Sequence, residues 1–131
     1  TRILATVPGA HRAAGHRHMT AAQRANLARA LSVQPRLLLF DEPLAALDAQ
    51  TREKMQLELQ RTWMQSSVSV LFVPHQIDEA ILLADRVLVM TSGPGRIRCA
   101  IPVPLPRPRS QRDRGTPAFV ALEARIREAL A

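Results

Sequence analysis

Aromatic residues, cysteine and long apolar runs are scarce in this chain, and each shortage excludes a class of protein. There is no tyrosine, one tryptophan and three phenylalanines, whereas proteins that bind nucleic-acid strands normally stack bases on several aromatic rings. The single cysteine, Cys99, cannot form an internal disulfide, so a reducing compartment such as the cytoplasm is its simplest location. The apolar runs at 37–40, 70–73 and 81–84 are far shorter than the about 20 residues of a transmembrane helix.

The net charge of +7 comes almost entirely from arginine and is unevenly distributed along the 131 residues. Residues 1–36 carry no acidic residue, 37–91 carry more acids than bases, and 92–131 are basic again. We interpret the basic ends as solvated surface and expect no nucleic-acid partner, because the aromatic platforms are missing. A chain of this length can bury a core without a disulfide or metal, so we expect one domain. Since it begins with Thr1, we also expect it to be a fragment.

From residue 20 onward, strand and helix patterns alternate, which is typical of an α/β fold with a mainly parallel sheet. The strand at 36–40 is continuously apolar, and we expect helices to cover both of its faces. In the longest helix, the spacing of Met55, Leu59 and Trp63 predicts a core-facing stripe, with Glu58 pointing outward. The predicted helices are 21–32, 49–65 and 78–84, and the predicted strands are 36–40, 67–73, 86–91 and an antiparallel return strand at 96–103.

The two ends of the chain differ from this middle part, and we divide the chain into 1–19, 20–104 and 105–131. Residues 1–19 have no sustained period and stay an unassigned arm. Residues 102–114 contain four prolines and four arginines, which predicts an extended, solvated linker. A final helix follows from Pro117, and its apolar stripe predicts that it packs back onto the domain: Phe119, Leu122, Ile126 and Leu130.

Three polar residues follow the first two predicted strands. Asp41 and Glu42 come directly after 36–40, and His75 follows 67–73. The carboxyl ends of neighbouring parallel strands form the crevice in which α/β sheets bind ligands. There, Asp41 can hold Mg²⁺ directly or through water, and Glu42 can orient or deprotonate a water that attacks a γ-phosphoryl group. His75 can donate a hydrogen bond to the γ-phosphate oxygens.

The same residues lie in recognisable motifs. Leu-Leu-Leu-Phe-Asp-Glu-Pro at 37–43, Ala-Leu-Asp-Ala-Gln-Thr-Arg at 46–52 and the strand ending before His75 resemble the Walker B, D-loop and H-loop motifs of ATP-binding-cassette (ABC) ATPases. The order and spacing match over 23–91. The later segments 83–87, 93–97 and 105–109 resemble importers of the nitrate, sulfonate and taurine group. The resemblance implies an incomplete P-loop NTPase domain of the ABC type.

The resemblance also implies roles for six residues, with ATP and Mg²⁺ as cofactors. Asp41 would be the Mg²⁺ acid, Glu42 the catalytic base and His75 the γ-phosphate sensor. Asp48 would make a contact across the ATPase dimer. Gln23 and Arg24 would be remnants flanking the family's signature motif.

The implied partners are those of an importer's ATP-binding subunit. They are a second ATPase subunit, which makes a homodimer in the family, transmembrane permease subunits, and a periplasmic or lipid-anchored substrate-binding protein. The implied location is cytoplasmic, at the inner face of the plasma membrane. The transported substrate is not encoded here, because its recognition lies in the binding protein and the permease.

Two motifs of the family are missing from the sequence. No G-x-x-x-x-G-K-[ST] loop is present, and the only lysine, Lys54, lies in a predicted helix. The Ser-Gly-Gly of the signature aligns with His-Met-Thr at 18–20. Because a whole phosphate cradle is absent, we expect no measurable ATP hydrolysis by this chain alone. The alternative is a noncatalytic remnant, truncated or frameshifted, that acts as an interaction module and leaves the strand at 37–40 with uncovered apolar surface.

Overall fold

The computed structural model describes residues 2–7 and 21–131. From residue 21 onward, the helices and strands lie within a residue or two of their predicted bounds. No helix in this described part is both long and apolar enough to cross a membrane. In chain order the elements are β1 (Arg2–Val7), α1 (Ala21–Ser32), β2 (Leu37–Asp41), α2 (Ala49–Met64), β3 (Ser69–Val73), α3 (Ile77–Leu83), β4 (Arg86–Met90), β5 (Ile97–Pro102), a 3-10 turn (Gln111–Gly115) and α4 (Pro117–Leu130).

The strands form one sheet in the order β2-β3-β1-β4-β5. Among the strands of the described residues, only β2 and β3 pair in parallel, and the other three pairings are antiparallel. The prediction of a mainly parallel sheet is therefore wrong. The reason is β1, which lies between β3 and β4 and runs opposite to both, with Ala5 paired to Phe72 on one side and to Val87 on the other. Strand β5 returns beside β4 in the predicted antiparallel direction.

Strand β1 belongs to the arm that the sequence left unassigned. Ala5, at its centre, is fully buried and joins the core. The rest of the arm, residues 1 and 8–19, lies outside the described residues, as does the segment at 18–20 that aligns with the signature motif.

The core gathers around α2, α3 and α4. Met55, Leu59 and Trp63 of α2 are buried as predicted, and the Trp63 ring lies between Phe40 and Phe72, with centroid distances of 6.3 Å and 5.6 Å. Such tilted aromatic pairs add to the free energy gained by burying their area. The predicted stripe of α4 also packs against the core.

Glu58 corrects the prediction for α2, because its side chain is buried and not turned to solvent. Its Oε1 accepts a hydrogen bond from Arg61 at 3.0 Å. A carboxylate near an arginine one turn away can thus be buried without leaving both oxygens unpaired.

Strand β2 lies at an edge of the sheet and is covered on one face only. Leu38 is 8% exposed, whereas Leu37 is 52% and Leu39 is 69% exposed. The prediction that helices cover both faces of this strand is wrong, because its burial alternates along the chain.

The segment after β5 is extended but only partly solvated, because buried residues alternate with exposed prolines, and this corrects the predicted linker. Val103 is buried, and Arg109 is only 2% exposed. The Arg109 guanidinium donates hydrogen bonds to the carbonyls of Ile81, Ala84, Val103 and Leu105. The domain boundaries themselves stay predictions.

Candidate functional site

The parallel pair β2 and β3 places the two predicted acids at the end of the sheet. Asp41 is the last residue of β2 and lies opposite Val73. The next residue, Glu42, donates its backbone N–H to the Val73 carbonyl at 3.0 Å and has a φ of 43°. This left-handed conformation is uncommon for a residue with a side chain, and it turns the chain sharply out of the strand. Both carboxylates are exposed.

A cleft of about 560 Å³ lies beyond the carboxyl end of β3. Glu42 and His75, which follow the two parallel strands, both line it. Its other charged lining residues come from α3, the 3-10 turn and α4, where Arg114 pairs with Asp78 at 2.7 Å and Arg127 pairs with Glu123 at 2.6 Å. Because each arginine is paired with an acid, the net charge of the cleft lining is close to neutral, apart from Glu42 and His75.

A buried acid that the sequence analysis missed supports His75. The His75 backbone N–H donates to Oε2 of Glu79 at 2.9 Å, and Glu79 is 2% exposed. Burial raises the pKa of Glu79, and the backbone N–H groups of His75 and Gln76 act in the opposite direction. The available signal was an acid four residues after His75, within a helix whose remaining residues are mostly apolar.

The segment between β2 and α2 is fastened by Arg52. Its guanidinium donates to the Leu47 carbonyl at 2.7 Å and to the Leu44 carbonyl at 3.4 Å, and Leu44 is almost fully buried. These contacts fix the chain that leaves Glu42 toward α2.

Asp48 begins α2 and does not line the cleft. Its carboxylate accepts the Thr51 backbone N–H at 3.0 Å, which satisfies one of the free donors of the first helical turn. Hydrogen bonding from Thr51 lowers the pKa of Asp48 below its ordinary value. The side chain is exposed and ionised at neutral pH.

Gln23 and Arg24, the remaining predicted site residues, lie in α1. Their side chains lie outside the described residues, so the structure does not relate them to the cleft.

The described residues bring two of the predicted site residues, Glu42 and His75, to one cleft, and Asp41 is not among the residues that line it. No three His, Cys, Asp or Glu side chains in residues 2–7 and 21–131 converge on a metal position. Mg²⁺ bound beside phosphates usually takes one or two carboxylates and completes its shell with water and phosphate oxygens. A phosphate cradle needs a concave run of backbone N–H groups, and the described glycines at 93, 95 and 115 do not line the cleft. The cleft therefore offers one carboxylate and one histidine at the ends of the parallel strands, and the described residues form no phosphate cradle there.

No family model matches the chain, but its sequence is similar to those of known proteins. The chain is 51% identical over 76 residues to an uncharacterized ABC transporter ATP-binding protein of Methanocaldococcus jannaschii. The matched residues make up 58% of this chain and 28% of that protein. Over the matched residues, the chain is homologous to ABC transporter ATP-binding proteins. The resemblance inferred from the motifs is thus confirmed.

Two further relatives are named as import ATP-binding proteins. Identity is 51% over 109 residues to an aliphatic sulfonates import ATP-binding protein of Pseudomonas fluorescens, covering 83% of this chain and 40% of that protein. It is 55% over 75 residues to a taurine import ATP-binding protein of Mesorhizobium japonicum, covering 57% of this chain and 29% of that protein. The homologues therefore include taurine and aliphatic sulfonate importers. The chain spans about 40% of the length of the first curated relatives that it matches.

Proposed function

We propose that this chain is the C-terminal portion of the ATP-binding subunit of an importer for nitrate, sulfonate, taurine or a similar small anion, in which ATP hydrolysis drives transport. The observation that supports it is the cleft at the end of the parallel pair, lined by both Glu42 and His75. Its relatives support the same assignment, because two of them are named as import ATP-binding proteins.

Within this proposal, the residues at the two strand ends divide the chemistry. Mg²⁺ would supply positive charge next to the phosphate oxygens. Asp41 would hold the ion through water, and Glu42 accepts a proton from the attacking water. His75 donates a hydrogen bond toward the γ-phosphate position. The exposed carboxylates of Asp41 and Glu42 are open to such ligands.

The remaining predicted residues belong to contacts between subunits. Asp48, exposed at the start of α2, contacts the second ATPase subunit of a homodimer. Gln23 and Arg24 are remnants that flank the family's signature motif. The assembly includes permease subunits and a periplasmic or lipid-anchored binding protein, and the chain lies at the inner face of the plasma membrane.

A chimera tests the proposal. Residues 37–91 of this chain replace the equivalent segment of the Mesorhizobium japonicum taurine import ATP-binding protein, and uptake of radiolabelled taurine is measured in cells that lack the native subunit. We expect uptake by the chimera. Glu42→Gln should reduce ATP turnover by about 10²–10⁴-fold, the usual contribution of a general base. The exposed acid Glu53 provides the matched control, Glu53→Gln, which should leave uptake unchanged.

Two results would contradict the proposal. One is a folded, abundant chimera that shows no uptake, and the other is full uptake by the Glu42→Gln chimera. The chain alone should show no measurable Mg-ATP hydrolysis, because the described residues form no phosphate cradle. Robust hydrolysis by the isolated chain that Glu42→Gln abolishes would overturn that expectation.

A further inference from the structure

A buried carboxylate lies directly behind the loop that carries His75. The Glu79 side chain uses Oε2 to accept the His75 backbone N–H, while its Oε1 is buried and has no hydrogen-bond partner in the part of the chain that the structure describes. Leaving a carboxylate oxygen buried and unpaired costs free energy. An apolar residue would pack in this position without that cost, so the contact with His75 is the feature that distinguishes Glu79.

The start of α3 has no cap from the side chain that precedes it. His75 is exposed, and the Gln76 side chain makes no capping bond. Glu79, the third residue of α3, instead reaches back to the backbone N–H groups before the helix, as an acid at this helical position can do. Because the bond is to the backbone of His75, it restrains the direction in which the imidazole leaves the chain.

Arg52 acts on the segment that carries Glu42 as Glu79 acts on the one that carries His75. Its guanidinium fastens the chain after Glu42 through the carbonyls of Leu44 and Leu47. Burial raises the pKa of Glu79 and Asp78 raises it further, whereas the positive charge of Arg52 lowers it. Glu79 and Arg52 thus each hydrogen-bond to the backbone of one of the two segments.

We propose that Glu79 is a positioning residue, which fixes His75, through its backbone N–H, in the cleft that Glu42 also lines. What His75 does for a nucleotide rests on the proposed function. The positioning does not, since it is a property of the chain without a ligand.

Amide hydrogen exchange of the ¹⁵N-labelled full chain tests this positioning. In Glu79→Ala, the His75 amide should exchange at least about tenfold faster, as expected when one hydrogen bond of about 1.4 kcal/mol is lost. The amides of Val87 and Val89, in the buried strand β4, should change by less than about twofold, because a local loss leaves global opening unaltered. Glu79→Gln should retain most of the protection, because its amide oxygen can still accept the bond. The matched control is Glu123→Gln, which removes another carboxylate of the cleft that pairs with Arg127 and not with the loop.

The outcomes separate positioning from general stability. Unchanged exchange at His75 in Glu79→Ala, or an equal increase at His75 and in β4, overturns the proposal. If Glu79→Ala does not fold, the amide proton shift of Glu79→Gln decides, because a neutral acceptor weakens the bond to the His75 N–H. An upfield shift confined to His75 and its neighbour supports the proposal, and no shift overturns it. Taurine uptake plays no part in this readout, so a failed chimera with a positive exchange result removes the transport function and leaves the positioning intact.

Discussion

Strand β2, at one edge of the sheet, and strand β4, inside the sheet toward the other edge, differ sharply in how their side chains are covered. On the side of β4, Val87 and Val89 are fully buried beneath the helices, and the segment after β5 folds back over the end of α3. On the side of β2, Leu37 and Leu39 are mostly exposed, and Asp41 and Glu42 follow in solvent. The packing that stabilises the fold and the carboxylates proposed for chemistry thus lie on different strands. The His75 loop, which follows β3, is the junction between them.

The better-covered side owes much to a single arginine. The carbonyls at the C-terminal end of a helix have no partners within the helix, and Arg109 satisfies those of Ile81 and Ala84. Its backbone also exchanges two hydrogen bonds with the buried Gln60 side chain. Burial is the main cause that lowers the pKa of Arg109 to about 10, so the guanidinium is still charged at neutral pH.

Removing the Arg109 guanidinium should cause the largest loss in the free energy of unfolding on the β4 side. Arg109→Ala leaves several buried carbonyls unpaired and Asp85 without one of its two arginine neighbours. We expect a loss of about 3–5 kcal/mol in the free energy of unfolding, as is typical when one partner of a buried charged network is removed. Urea unfolding followed by circular dichroism measures it. The exposed Arg112 provides the control, and Arg112→Ala should cost less than about 0.5 kcal/mol. Equal losses in the two variants would show that the tail does not stabilise this side.

A pair of leucines compares the two sides with the same chemical change. Leu82 of α3 is 1% exposed, and Leu39 of β2 is 69% exposed. Leu82→Ala leaves a cavity in the core and should cost about 2–5 kcal/mol of unfolding free energy. Leu39→Ala removes exposed surface and should cost less than about 0.5 kcal/mol.

The same unfolding experiment measures both variants, and light scattering adds a second readout for Leu39→Ala. An exposed apolar edge strand promotes association between chains, so this variant should scatter less at equal concentration. If Leu39→Ala proves as destabilising as Leu82→Ala, then β2 is covered in solution and the two sides do not differ.

The sequence predicted the local elements well because their signals are local. The spacing of Phe119, Leu122 and Ile126 predicted the buried face of α4. The predicted strand ends also agree with the structure, in which Asp41 and Glu42 lie at the end of β2 and His75 follows β3. Strand β1 carries no sustained period, and only its pairing between β3 and β4 makes it a strand. The burial of Arg109 depends on carbonyls 25 and 28 residues earlier in the chain. Arginine is normally exposed, so no local pattern indicates such a contact.

The smallest expected effect is at the His75 loop, where Glu79 should make the free energy of unfolding depend on pH. Burial raises the pKa of Glu79 above its ordinary value of 4.5, so the unfolded chain ionises first as pH rises. In the native protein this carboxyl therefore contributes most to stability below pH 4.5, and its contribution is lost as pH rises through the folded pKa. Glu79→Gln has no such ionisation. Its unfolding free energy, relative to that of the native chain, should rise with pH above 4.5 and then level off.

Unfolding midpoints of both chains, measured at steps from pH 4 to pH 8, provide that difference. Glu128→Gln, at an exposed position of α4, is the control and should give a smaller pH-dependent difference. A flat or falling difference for Glu79→Gln would mean that the carboxylate is well solvated in the folded chain. The surroundings of Glu79 would then be solvated like the exposed β2 strand, and the well-packed part of the protein would begin within α3, after the His75 loop.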